Sequence, residues 1–152
     1  MTFRPLGALM VAAVSAGCLL VVLVVTAFAL PPSVRAAFTI FQDITMGLFL
    51  AAALAILYGI ARTRVSTDDE GIHVLNGFRR HDLAWAEVVQ VSLGRGAPWA
   101  VADTTAGTTV QLMAIQRADG DRAVAAVRAL RAQVARHTPP DPGPAPQAGP
   151  EP

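Results

Sequence analysis

Leu6 to Leu30 carries no charged side chain and consists mainly of Val, Leu and Ala. A helix over it is roughly 37 Å long, enough to cross a hydrocarbon core of about 30 Å with some tilt. Pro31-Pro32-Ser33-Val34-Arg35 breaks the run, because proline lacks the N–H a helix needs and restricts its predecessor. A second apolar stretch follows, with Gln42 and Asp43 near its start and Ile44 to Ala61 as its core. That core gives roughly 27 Å, close to the minimum for a span. The pattern predicts a transmembrane hairpin, with spans over about 6–30 and 38–61 and a short stub, Met1 to Pro5, in front. Gly47 and Ala51-Ala52-Ala53 offer a small-residue face on which the two helices can pack.

After Arg64 the apolar period changes from helical to two. Arg64 to Thr67 reads as a strand, Asp68-Asp69-Glu70-Gly71 as a turn, and Ile72 to Leu75 as a strand ending at the hairpin signal Asn76-Gly77. The return strand starts at Arg79, and Leu83 and Trp85, two apart, are expected on one face. Val88 to Leu93 follows, with Val89 and Val91 expected on one face. Trp99 to Asp103 and Thr108 to Met113 are two more strands, after the loop Gly94 to Pro98. Short strands joined by tight turns predict an antiparallel sheet. Ala123, Val127, Leu130 and Val134 then recur at helical spacing, and Asp119 or Asp121 can cap that helix. Arg122, Arg128, Arg131 and Arg136 lie largely off this stripe. The chain therefore divides into 1–61, a hairpin; 62–137, a compact module; and 138–152, a disordered Pro-rich tail.

Composition narrows the function. The net charge is +1, which argues against bulk electrostatic binding to nucleic acid. All twelve basic residues are Arg. Arg4, Arg62 and Arg64 flank the spans, with Arg79 and Arg80 shortly after, against Arg35 in the connecting loop. The positive-inside rule then places both termini in the cytoplasm, in a multi-pass protein of the inner (plasma) membrane. The apolar front end is too long for a cleaved signal peptide. Cys18 is the single cysteine, so there is no internal disulfide; its lipoprotein-box context is poor, because Ser15 stands where Leu is expected.

The stretch Val65 to Val134 resembles the bacterial PH-like family known as the low-molecular-weight protein antigen 6 PH domain. The residues that carry the resemblance are Glu70-Gly71-Ile72-His73-Val74-Leu75-Asn76, then Leu83-Ala84-Trp85-Ala86-Glu87-Val88, with Ala114-Ile115-Gln116 and the Ala-rich last helix. The resemblance implies a membrane α-hairpin of two transmembrane helices followed by a small α+β PH-like domain, its antiparallel sheet capped by a C-terminal helix. It implies no enzyme activity and no cofactor, and it makes Trp85 a structural packing residue.

The candidate chemistry is sparse. PH-like domains elsewhere often bind phosphoinositides through a basic first loop; here that loop is Asp68-Asp69-Glu70, which repels a phosphorylated headgroup. Arg79-Arg80-His81 is a small basic patch that could meet anionic lipid, with a solvated hairpin end as the plainer reading. Trp99, at a loop edge, is a candidate contact residue or a cap on the sheet. Arg79, Arg80 and Trp99 are thus the candidate interaction residues. His73, His81 and His137 have no metal-site spacing and are expected to be isolated. His81 and Asp82, adjacent in a strand, point to opposite faces, and Ser66 and Ser92 lack a nucleophile context. An enzyme would need a cleft assembled from His81, Asp103 and Arg95. The reading favoured is a membrane-anchored, non-enzymatic interaction module at the cytoplasmic face, with a membrane or membrane-associated protein as partner, the bilayer as support and no nucleic acid. The alternative is a structural or lipid-associated membrane subunit acting through its hairpin, with Asp43, Gly47 and Ala51 to Ala55 packing on other spans.

Overall fold

The computed structural model describes residues 1–137. The Pro-rich tail expected from Thr138 lies outside the described residues. Two long helices form the hairpin, α1 (Leu6–Ala29) and α3 (Ile40–Arg62), joined by the short helix α2 (Pro32–Ala36). Both long helices are apolar and long enough to cross a membrane, and only 6% of each apolar stretch is buried within the protein. A soluble core helix hides its apolar face; these present Val14, Leu20, Phe28, Phe41 and Phe49 outward. Thr39 caps α3: its Oγ1 accepts from the Gln42 N–H at 3.4 Å, and the Gln42 Oε1 accepts from the Thr39 N–H at 2.9 Å. The polar pair expected near the start of this span thus includes its N-terminal stop signal.

The helix–helix contact differs from the expected one. Most of the small residues come from α1, where Ala12 is buried and Ala8, Ser15 and Ala16 are partly covered. The facing side of α3 is Leu50, Ala53, Leu57 and Ile60, an i, i+3, i+7, i+10 row. Gly47 and Ala51 are exposed, and a Cβ on Gly47 would meet nothing within 4 Å. Of the expected small face only Ala53 belongs to the covered row.

The soluble module holds two antiparallel sheets. The first has the order β1 (Thr2–Phe3), β2 (Arg64–Thr67), β3 (Gly71–Asn76) and β4 (Arg79–Ala84). The second is β5 (Val88–Ser92), β6 (Trp99–Thr104) and β7 (Thr109–Gln116). The last helix, α4 (Asp121–His137), buries Ala123, Ala126, Val127, Leu130 and Val134 against them. The core between the layers contains Val65, Ile72, Val74, Val91, Leu112 and Ile115, all nearly inaccessible. The sheets do not close into a barrel.

Three expectations are corrected here. Met1 to Pro5 is no stub: β1 pairs with β2, Phe3 opposite Val65, and Pro5 is fully buried. Val89 and Val91 do not share a face. A bulge between Val88 and Gln90 inserts a residue, so Val88 and Val91 point inward and Val89 is 57% exposed. Leu83 and Trp85 are both buried, but Trp85 opens a 3-10 turn (Trp85–Glu87) rather than continuing the strand. Gly71 begins β3 because no side chain fits there: a Cβ would collide with the Leu83 carbonyl oxygen of the paired strand.

Candidate functional site at the junction of spans and domain

Thr63, the residue after α3, is buried and joins helix to sheet. Its Oγ1 donates to the Gly59 carbonyl at 3.0 Å and accepts from the Gly77 N–H at 3.1 Å. Gly77 sits in the β3–β4 turn with φ +61, a left-handed geometry that glycine adopts without strain. The turn therefore docks on the last turns of α3. Gly59 admits the Phe78 ring, whose edge lies 3.0 Å from where a Cβ would be. The Phe78 ring lies 6.3 Å from that of Tyr58, and the Arg62 guanidinium stands over both at 5.7 and 5.5 Å. Phe78 is nevertheless 64% exposed.

Behind this tip lies a cleft of about 660 Å³ between α3, the β3–β4 hairpin and the outer edge of β7. Asn76 crosses its floor. Its Nδ2 donates to the Gln111 carbonyl at 2.7 Å and its Oδ1 accepts from the Met113 N–H at 3.2 Å, so one side chain stands in for a backbone pair between the unclosed sheets. Arg79 and His81 line the cleft, because alternation along β4 turns them to the side of Leu83.

Arg80 and Asp82 take the opposite face. There His73 lies between two carboxylates, Nδ1 at 2.6 Å from Asp82 and Nε2 at 2.6 Å from Asp68. The hydrogen bond with Asp82, followed by that with Asp68, raises the His73 pKa against the opposing effect of desolvation. Asp82 is held below the usual carboxylate range by the Arg80 guanidinium, 2.9 Å away, and then by His73. Desolvation pushes Asp68 up, but the Gly71 and Glu70 N–H groups and His73 outweigh it and lower its pKa. His73 is thus not isolated, as the sequence reading expected. Neither is His137, whose ring stacks on Trp85 at 4.7 Å. Ser66 stands opposite His73 on β2, yet both ring nitrogens are engaged, so no lone pair is free to activate it.

The remaining candidates are scattered. Trp85 is buried, and its Nε1 donates to the Asp68 carbonyl at 3.0 Å, tying the first turn to the core. Trp99 begins β6 opposite Gln116 and is half-buried. The adjacent loop wraps the Arg117 guanidinium, which donates to the Ala97 carbonyl at 2.9 Å and to the carbonyls of Gly94 and Leu93. Those carbonyls face a cation, so the Gly94-Arg95-Gly96 stretch is no phosphate cradle. Asp103 accepts from Gln90 and Thr109, and neither it nor Arg95 lines the cleft that holds His81. Among the described residues no group of three or more His, Cys, Asp or Glu could hold a metal ion. At the other span, Asp119 Oδ1 accepts from the Gly7 N–H at 3.1 Å. Of the two acids expected as caps for α4, Asp119 or Asp121, Asp119 therefore caps α1 instead, and its charge faces the positive end of that helix.

No solved structure matches the chain. Its relatives include an uncharacterized protein of Mycobacterium bovis and two of Mycobacterium tuberculosis. Each is 37% identical over 94 residues, 62% of this chain, and the match spans 59% of the relative's own length. A family model described as bacterial PH domain matches residues 62–133, the stretch that contains β2 to β7 and most of α4. The two antiparallel sheets, the capping helix and this match agree: residues 62–133 of this chain are similar to the bacterial PH domain family.

Proposed function

We propose that this chain is a non-enzymatic, membrane-anchored interaction module. The α1–α3 hairpin lies in the inner membrane with both of its ends at the cytoplasmic side, and the PH domain is held there for a membrane or membrane-associated protein partner. The observation that carries this reading is the attachment of one small domain to both spans without a linker. Thr63 binds Gly77 at the end of α3, and Asp119 binds Gly7 at the start of α1. Such an attachment fixes which face of the domain looks along the membrane and which looks away. A tethered domain also meets other membrane proteins at high effective concentration, so a modest contact suffices. Arg4, Arg62, Arg64, Arg79 and Arg80 cluster at the domain end of the hairpin against Arg35 at the other, which supports the cytoplasmic assignment. Of the candidate contact residues, Arg80, paired with Asp82 but 70% exposed, and the half-buried Trp99 lie outside the cleft at the end of α3.

The test is co-purification of the tagged full chain from membranes in mild detergent, with partners identified by mass spectrometry. A specific protein that is lost with Arg80→Ala and Trp99→Ala, while the domain still folds, is the expected result. A partner retained by those variants and lost with Gly47→Leu and Ala51→Leu would overturn it in favour of a subunit that acts through its hairpin. Those two residues are exposed, and a Cβ on Gly47 would meet nothing within 4 Å.

A further inference from the structure

We propose that the cleft between α3 and the β3–β4 turn is a binding site for one anionic glycerophospholipid. The acyl chain would run along Ile56 and Phe78, and the phosphodiester would rest on Arg79 and His81. This inference rests on the reading of α3 as a membrane span.

Position comes first. Ile56 and Gly59 belong to the last turns of α3, so this wall of the cleft continues the apolar, outward-facing surface of the helix. A cleft that opens there faces the boundary between acyl chains and headgroups. Phe78 stands at the same level, mostly exposed on a turn, beside Tyr58. The amphipathic Tyr ring is favoured at that depth, and the Phe78 ring beside it gains there an apolar contact that water does not offer.

Chemistry comes second. The lining divides into an apolar side, Ile56, Phe78, Val110 and Met113, and a donor side led by Arg79 and His81. Among the described residues no carboxylate lines it. Arg80 pairs with Asp82, Arg62 stands over two aromatic rings and Arg117 donates to loop carbonyls, while Arg4 and Arg64 do not line the cleft. Arg79 makes no ion pair among the described residues. It is exposed and shares its face of β4 with His81, so its guanidinium is open to an incoming phosphate. A single anionic group with an attached hydrocarbon tail satisfies both sides of the lining. This place is separate from the acidic loop Asp68-Asp69-Glu70, which stays hostile to phosphate.

The full chain would be reconstituted in nanodiscs of phosphatidylcholine alone and of phosphatidylcholine mixed with phosphatidylglycerol. Lipid retained after release would be read by native mass spectrometry. The expected result is preferential retention of phosphatidylglycerol, reduced about fivefold for Arg79→Gln and further for the double variant with His81→Gln. Arg79→Lys should keep most of it, and Arg35→Gln, at the far end of the hairpin, should change nothing. Equal retention of both lipids by the unaltered chain, or an equal loss with Arg35→Gln, would overturn the site. Alkaline carbonate extraction of native membranes separates the two readings. Release of the chain into solution would overturn the span and the lipid site together; a chain that stays in the membrane without the preference loses the lipid site alone.

Discussion

Thr63 Oγ1 and the Gly77 N–H lie 3.1 Å apart, and the same hydroxyl donates to the Gly59 carbonyl at 3.0 Å. One buried hydroxyl therefore satisfies a helix end and a hairpin turn from opposite sides. The consequence is mechanical. A tilt of α3 is passed to β3 and β4, because the turn is tied to the helix end by this partly buried hydrogen bond.

Thr63→Val keeps the shape and removes both bonds. The Gly77 N–H then loses its partner, which should cost about 1–3 kcal/mol. Chemical denaturation of the full chain in detergent measures the loss. Hydrogen exchange should quicken first at Gly77, and a change confined to α4 would contradict the assignment.

Asn76 should behave as a clamp between sheets. Asn76→Ala deletes the bonds to Gln111 and Met113 that span the unclosed edge. The Met113 amide should lose exchange protection and stability should fall by roughly 1–3 kcal/mol. Asn76→Asp keeps the acceptor for Met113 but not the donor for Gln111, so it should protect Met113 while still destabilising.

The strands, the turns and the last helix could be read from local patterns, since each rests on neighbours in sequence, whereas the split into two sheets could not. The parts that escaped depend on non-local pairing. The two-residue strand β1 finds its partner only after both spans have been traversed, and Asp119 reaches Gly7 from the far end of the chain. The His73 cluster was within reach. Asn76-Gly77 sets the hairpin register, which places His73 opposite Asp82. Val89 failed for a different reason: alternation assumes an unbroken ladder, and the bulge at Val88 and Gln90 breaks it. Val91→Ser should accordingly cost about 2–3 kcal/mol, and Val89→Ser should stay within about 0.5 kcal/mol, in matched thermal melts.

The His73 cluster should make the first hairpin sensitive to pH in a defined direction. The His73 pKa is raised, so the stability it contributes is full below its unfolded value of about 6.5 and is lost as pH rises through its folded value. Asp68 and Asp82 are lowered, so their contribution is full above about 4 and is lost as pH falls through their folded values. The hairpin should be firmest between these limits, in mildly acidic solution. An NMR titration should give His73 a pKa above that of a free imidazole, and Asp82→Asn should bring it down. A His73 that titrates unchanged in Asp82→Asn would show that the short Nδ1 contact does not persist in solution.

Asp119 decides between two ways of holding the first span. If it capped α4, its removal would expose the first turn of that helix. In the structure that turn is served elsewhere: the Ala123 N–H donates to the Gly120 carbonyl at 3.0 Å, and the Asp119 carboxylate is directed to Gly7. Asp119→Ala should therefore release protection at the Gly7 amide while leaving Ala123 and Val124 protected. The cost should be about 1 kcal/mol, as for a lost helix cap. Asp119→Asn retains the acceptor but not the charge at the helix end, and should lose about 0.3–1 kcal/mol. A Gly7 amide that exchanges at the same rate in all three proteins would mean that α1 is held by β1 and Pro5 alone. The domain would then be fixed firmly to one span, α3, and only loosely to the other.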